Sequence, residues 1–366
     1  MLLRHASLAA LSWRGKEASV PPPEPEPLYL FTLLAVTICW LLPLWLYLRL
    51  PEVPCAIAGC RSELRSAMLA IARRTRPATR AIILSGSVDT CALLSAAALA
   101  NEPFSHAITV LTGAESPDRN FSLAAAAERK ALLHHVVETT PADLVKNYLP
   151  MCVRLLHTFD GMTIRNSLVI AAAMHKAAEL GITDVVVGDG ADELFGGYSF
   201  CWGDVDNPAQ WSRKRDAMCA QWTFATSKLA AEYGLRSHSP YMEPSFVEWA
   251  LARTGRVECI GVRPIQLTLG GEAIEHQTGM LVLREAFATL ASWRRKDPID
   301  VGSGISVIGV DGFWAEMISD DTFAKEAASA ATRGFDITSK EHLAYFRAFE
   351  CALGTGGAML PSRRRS

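Results

Sequence analysis

From about residue 80 the chain alternates short apolar runs with longer stretches whose alanines and leucines recur at helical spacing. The run AIIL (81–84) leads into a small-residue turn and then helical content over 91–99. HAITVL (106–111) reads as a second strand, residues from about 122 to 133 as an alanine-rich helix, and HHVVE (134–138) as a third strand. Residues 141–157 and 166–179 read as helices, the second stopped by Gly181, and ITDVVVG (182–188) supplies a further strand. Strands alternating with helices in this way predict an α/β fold, a parallel sheet with helices on both faces. After Phe200 the texture turns helical, with Trp202, Trp211, Trp222, Trp249 and Trp293 as core candidates.

The first fifty residues follow another pattern. PLYLFTLLAVTICWLLPLWLYL runs for 22 residues without a charge. As a helix it reaches about 33 Å, enough for a bilayer core of about 30 Å. This predicts a flexible leader (1–27), one transmembrane helix (28–48) and a linker (49–62) with Pro51, Pro54 and Gly59. The main domain then covers 63–350, and 351–366 form a solvated basic tail. Arg49, Arg61, Arg65, Arg73, Arg74, Arg76 and Arg80 follow the apolar stretch, so the positive-inside bias places that domain in the cytosol, membrane-anchored. The alternative is an apolar helix docked on a cytosolic domain.

Charge narrows the partners. With 36 basic against 38 acidic residues the net balance gives no reason to expect nucleic acid. The 9 cysteines show no CxxC pair or zinc-type spacing, as reduced thiols would.

Two loops carry the candidate chemistry. In AIILSGSVDTCALLSAA (81–97), Gly86 between Ser85 and Ser87 lets backbone N–H groups face outward at a helix start, where an anion such as pyrophosphate is favoured. Asp89 is placed for a carboxylate to hold Mg²⁺ bound to such phosphates. An ordinary capped turn, with Asp89 or Thr90 satisfying helix N–H groups, is the competing reading. The loop is not a GxxxxGK[ST] sequence. The second loop, GDGADE (188–193), also follows a strand, and ligands of parallel sheets gather beyond the carboxyl ends of strands. Both loops then serve one ligand, and Asp89 and Asp192 approach one metal.

Several segments in order resemble the synthetase domain of glutamine-dependent asparagine synthetases and the related β-lactam synthetases. SGSVDT (85–90) is similar to the family's pyrophosphate loop, Ser116-Pro117-Asp118 to its SPD, and Thr163-Ile164-Arg165 to its TxxR or TIR segment. GDGADELFGGY (188–198), GLRSHSPYMEPSFVEWAL (234–251) and SWRRKDPIDVGSG (292–304) complete a likeness over roughly 81–350. The resemblance implies a PP-loop fold of the HUP-like adenine nucleotide hydrolase type. It also implies an AMP-forming ligase: a carboxylate attacks the α-phosphorus of Mg-ATP, and an amine then displaces AMP from the acyl-adenylate. On that likeness Leu84, Ser85, Gly86, Ser87, Asp89, Thr90, Leu111, Val187 and Gly188 contact the nucleotide, and Asp89 and Asp192 hold Mg²⁺. Lys296 compensates charge on the departing pyrophosphate, and Asp189 orients or deprotonates ammonia.

The chain departs from the family pattern in places. Ser87 stands for a loop glycine, Asp189 for the common Glu, and Tyr241 and Glu243 for Phe and Asp. Position 2 is Leu2 rather than the cysteine of a glutaminase, and the stretch before the domain is short and apolar. The expectation is therefore that nitrogen comes as free ammonia or from a separate glutaminase. Three readings follow: amidation of aspartate to asparagine, a β-lactam-synthetase-like ligase acting on another acid, and a membrane-anchored nucleotide-binding pseudoenzyme.

Overall fold

The computed structural model describes residues 55–203, 207–289 and 291–354. The expected leader and the transmembrane helix over 28–48 lie outside the described residues. Among the described residues no helix is long and apolar enough to cross a membrane.

The first half is a run of βα units. Helix α1 (Cys55–Ala72) precedes β1 (Arg80–Ile83), α2 (Val88–Leu99), β2 (His106–Leu111), α3 (Asp118–Ala127) and β3 (Leu133–Glu138). Two long helices follow, α4 (Pro141–Leu156) and α5 (Gly161–Glu179), then β4 (Asp184–Val186) and the short α6 (Ala191–Phe195). The second half contains α7 (Pro208–Ala220), α8 (Thr226–Glu232), β5 (Arg236–His238), α9 (Pro244–Arg253) and α10 (Arg256–Cys259). A hairpin of β6 (Gly261–Gln266) and β7 (Ala273–Thr278) comes next. The remainder is α11 (Leu281–Ala286), α12 (Ile299–Ser303), α13 (Asp311–Trp314), α14 (Asp320–Thr332) and α15 (Lys340–Leu353).

β1 to β5 form one sheet in the order β3-β2-β1-β4-β5, every pairing parallel. Ala81 of β1 lies between His106 of β2 and Val185 of β4, which fixes the register at the centre. Side chains alternate across the sheet, as a two-residue period requires. Ile82, Ala107 and Val186 enter a core with α1, α2 and α9, while Ala81, Ile108 and Val185 enter a second core with α4 and α5. Both faces are covered, which is why the central strands read as nearly continuous apolar runs.

Several element boundaries depart from the sequence expectations. α5 starts at Gly161 because Asp160 accepts a hydrogen bond from the Thr163 N–H at 2.8 Å, five residues before the apolar pattern becomes helical. α3 starts at Asp118, ahead of its alanines. Residues 55–62, read as linker, are helical: Cys60 and Leu64 are fully buried, and α1 packs on α2, α9 and α11. The β6–β7 hairpin lies in a region that read as helical, because Pro264 and the polar β7 carry no clear alternation. β5 has three residues and is tied to β4 through Asp184, whose carboxylate accepts from Arg236 at 2.9 Å and meets His238 Nε2 at 2.8 Å.

Leu64→Ala should cost about 2–5 kcal/mol of unfolding free energy, since it opens a cavity in a closed core. A urea titration reads this directly, and a loss below about 0.5 kcal/mol would show α1 to be a dispensable appendage.

Candidate functional site

β1 has β2 on one side and β4 on the other, so the chain turns opposite ways after these two central strands. The loops beyond β1 and β4 therefore part at a crevice, the place where such sheets bind ligands. Both singled-out loops leave the sheet there.

In the first loop Leu84 still pairs through its N–H with the Ile108 carbonyl at 2.8 Å. Gly86 then takes a positive φ of 73°. A Cβ at Gly86 would lie 2.4 Å from the Ser122 nitrogen and 2.6 Å from the Phe121 carbonyl carbon, so the close approach of α3 also demands glycine. Ser87 opens α2 with extended backbone, but its hydroxyl donates to the Asp89 carboxylate instead of capping the helix. The Ser85 hydroxyl lies 2.8 Å from that of Ser87 and 3.3 Å from that of Thr90.

In the second loop the glycines make room for acids. A Cβ on Gly188 would sit 2.6 Å from Asp89 Oδ2, and one on Gly197 would sit 1.8 Å from Asp192 Oδ1. Gly190, with φ 93°, starts the five-residue α6, and Gly196, with φ 67°, ends it. The glycines flanking Asp189, Asp192 and Glu193 thus fold the chain tightly and vacate the volumes that the carboxylates occupy.

Lys296 joins the loops. Its Nζ lies 3.1 Å from Asp192 Oδ2 and 3.5 Å from Asp89 Oδ2, and all three side chains are largely buried. Burial disfavours the ammonium, but the fields of Asp192 and Asp89 outweigh it and hold Lys296 above its ordinary value. Burial also pushes against ionisation of Asp89, and Lys296 with the Ser87 hydroxyl and backbone donors brings that carboxyl below the usual range. Asp192 is raised, by burial first and then by Asp89 and Glu193, with Lys296 opposing.

A buried frame places the lysine. Arg294 donates to the Ser85 carbonyl at 3.2 Å and to Asp118 Oδ1 at 2.5 Å, and its guanidinium lies 4.6 Å from the centre of the Phe121 ring. Arg284, fully buried, donates to the carbonyls of Gly279 (2.9 Å), Ser292 and Arg294 (2.8 Å). β6 continues this support: the Gln266 N–H bonds the Trp293 carbonyl at 2.8 Å, and the Arg295 N–H bonds the Gln266 carbonyl at 2.9 Å. Farther on, Arg165 holds Asp300 at 2.9 Å and Glu341 at 2.8 Å, clasping α5, α12 and α15. Arg294, Arg284 and Arg165 were not among the predicted site residues. In extended backbone Arg294 and Lys296 share a side while Arg295 faces away, and that two-residue period was the available signal.

Asp189 follows Gly188 on the same wall. Burial raises its carboxyl to about 7, Glu193, Asp89 and Asp192 add to the shift, and a hydrogen bond with Thr226 opposes it. Its carbonyl accepts from the Ser239 hydroxyl at 2.5 Å. Glu193 accepts from the Tyr198 hydroxyl at 2.6 Å, and the Tyr241 hydroxyl donates to the Asp89 carbonyl at 2.8 Å.

Asp89, Asp189, Asp192, Glu193 and Lys296 face a cavity of about 450 Å³. Of the predicted residues, Leu84, Ser85, Ser87, Asp89, Thr90, Val187, Gly188, Asp189, Asp192 and Lys296 line it. Gly86 shapes the loop from behind, and Leu111, fully buried at the end of β2, is not part of the lining.

The donor set fits a hard cation held partly by a ligand. Among the described residues no three His, Cys, Asp or Glu side chains gather into a metal cage. Asp192 Oδ1, however, is buried without a hydrogen-bond partner. Mg²⁺ commonly takes one or two carboxylates and completes its shell with phosphate and water oxygens, which suits Asp89 and Asp192.

Residues 61–223 match the family model described as asparagine synthase. The chain is 25% identical over 232 residues to a probable glutamine-hydrolyzing asparagine synthetase of Dictyostelium discoideum, covering 60% of this chain and 40% of the relative. It is 26% identical over 314 residues to the asparagine synthetase of Brassica oleracea, covering 79% of this chain and 50% of that protein. Against the probable enzyme of Schizosaccharomyces pombe the identity is 28% over 308 residues, with 74% and 51% covered. The chain thus spans about half the length, or less, of these curated relatives.

Lys296→Met should leave Asp89 and Asp192 buried without a counter-charge, at a cost of about 3–5 kcal/mol near neutral pH. Both carboxyls would then titrate above their unfolded values. The folded variant would hold more protons than the unfolded chain from about pH 4 to 7, so its stability should fall as pH rises through that window. Urea midpoints at the two ends of the window test this, and a variant that tracks the parent at both would show that the lysine does not carry the charge balance.

Proposed function

We propose that this chain, which carries an asparagine synthase domain across residues 61–223, is an ATP-dependent, AMP-forming amide ligase. The observation that carries the reading is the joining of Asp89 and Asp192, from two loops at the switch point, through Lys296 on one cavity wall. A nucleotide whose pyrophosphate is released needs anion-binding N–H groups, carboxylates for its metal and a fixed cation. Asp89 and Asp192 with Lys296 supply the last two here, and an ordinary capped turn explains neither the unpartnered Asp192 oxygen nor the buried lysine.

In this mechanism the backbone around Ser85, Gly86 and Ser87 receives the β- and γ-phosphates, while Leu84, Val187 and Gly188 border the nucleoside. Asp89 and Asp192 would hold Mg²⁺, which when bound offsets phosphate charge. The acid's carboxylate oxygen attacks the α-phosphorus and the bond to pyrophosphate breaks, with Lys296 compensating the charge that builds on the leaving group. Ammonia then attacks the acyl carbon, loses a proton to Asp189, and AMP leaves with the electrons of its bond to that carbon. A carboxyl titrating at about 7 suits proton acceptance near neutrality. Asparagine formation from aspartate is the reaction that the relatives' names suggest, so aspartate is the reference acid.

Asp189→Asn should retain acid-dependent exchange of pyrophosphate into ATP and lose about 10²–10⁴-fold in amide formation. In the parent, kcat/KM for ammonia should rise with pH through about 7 as Asp189 loses its proton, beyond the rise due to ammonia itself. The Asn variant should lack that component, and matching profiles would remove Asp189 as the base. Gly188→Ala should drive a methyl into the Asp89 carboxylate and weaken Mg-ATP binding at least about tenfold with an unchanged far-ultraviolet spectrum; calorimetric titration measures this.

A further inference from the structure

The ligase reading asks two things of one ammonium, and this inference rests on that reading. Lys296 compensates the departing pyrophosphate, yet its Nζ also lies 3.1 Å from Asp192 Oδ2 and 3.5 Å from Asp89 Oδ2. Mg²⁺ held by the same two acids would take carboxylate oxygens at about 2.0–2.1 Å. The oxygens open to it are the ones the lysine holds. Asp89 Oδ1 accepts from the Ser87 hydroxyl, and Asp192 Oδ1 is buried so near Gly197 that a Cβ there would lie 1.8 Å from it.

An ammonium and a divalent ion crowded onto two carboxylates repel each other, and burial strengthens that repulsion. A polyphosphate changes the balance, because it brings negative charge on which the ammonium can settle. Among the described residues lining the cavity, Lys296 is the one Lys or Arg, so the task falls to it. The arginines that frame it are pinned by several bonds each: Arg294 to the Ser85 carbonyl and Asp118, Arg284 to the carbonyls of Gly279, Ser292 and Arg294. That frame fixes the backbone at Lys296. Its compact ammonium on a flexible four-carbon stem is the group suited to changing partners.

We propose that Lys296 stands in for the metal: its ammonium holds Asp89 and Asp192 until a nucleotide arrives with Mg²⁺, and its transfer to the polyphosphate opens the two carboxylates to the ion. Free Mg²⁺ is thereby kept off the nucleotide-free protein, and metal and nucleotide enter together. The movement that clears the carboxylates is also the one that sets the ammonium against the leaving group.

The test is Mn²⁺ binding to the full chain without nucleotide, read from the electron paramagnetic resonance signal of the free ion. Lys296→Gln and Lys296→Met should each bind Mn²⁺ at least about tenfold more tightly than the parent, and adding Asp192→Asn to either should abolish the gain. Millimolar Mg²⁺ should raise the urea midpoint of both variants, replacing the cation they lack, and leave that of the parent unchanged. A variant that folds only with Mg²⁺ present would support the proposal equally. Mn²⁺ affinity in both variants no tighter than in the parent, or variants that Mg²⁺ does not stabilise, would overturn it, and the ligase reading stands if the parent still binds Mg-ATP in a calorimetric titration. A parent that does not bind Mg-ATP would overturn the ligase reading and this inference with it.

Discussion

A lysine ammonium held between two buried carboxylates from different loops is the constraint on which the rest of the site depends. Two acids cannot both ionise at this depth without a cation between them. Lys296 supplies it, at 3.1 Å from Asp192 and 3.5 Å from Asp89. In doing so it ties residues more than two hundred positions apart in the chain to the crevice between β1 and β4. Glycine at 188 and 197 is the backbone counterpart of this charge balance, because each leaves the volume that one carboxylate fills.

Much of the second half of the chain serves to deliver that ammonium. Arg294 spans from the first loop to Asp118, Arg284 gathers the carbonyls before it, and β6 extends its pairing into residues 293–295. Each of these bonds uses a buried group whose removal leaves another unpaired, so the frame is stiff for electrostatic reasons as well as packing ones. Arg284 shows the strain of this arrangement: burial lowers it to about 10, against the pull of Asp89 and Asp192.

The sheet was legible in the sequence because β1, β2 and β4 are covered on both faces and therefore appear as apolar runs between helical stretches. The two loops were legible because glycine, serine and acid at a strand end have few structural uses in that combination. The hairpin was not, since Pro264 breaks its alternation and β7 is mostly polar. Nor were the starts of α3, at Asp118 ahead of its alanines, and of α5, which Asp160 caps. Arg294 was hidden for another reason: WRRK looks like a solvated basic run, and its two-residue period separates buried Arg294 from exposed Arg295 only once the segment is known to be extended. Leu111 stands apart from the other residues named by likeness of sequence position: its side chain is enclosed at the end of β2 and lies outside the cavity lining.

The clasp of Arg165 by Asp300 and Glu341 bears on how the molecule comes into being. The first loop leaves the ribosome early, but the carboxylate that anchors α15 to the segment after Lys296 is made some two hundred and fifty residues later. During synthesis the sheet has its strands in hand well before the site has its cation. The nascent chain must therefore hold Asp89 for about two hundred residues, and Asp192 for about one hundred, before Lys296 is made.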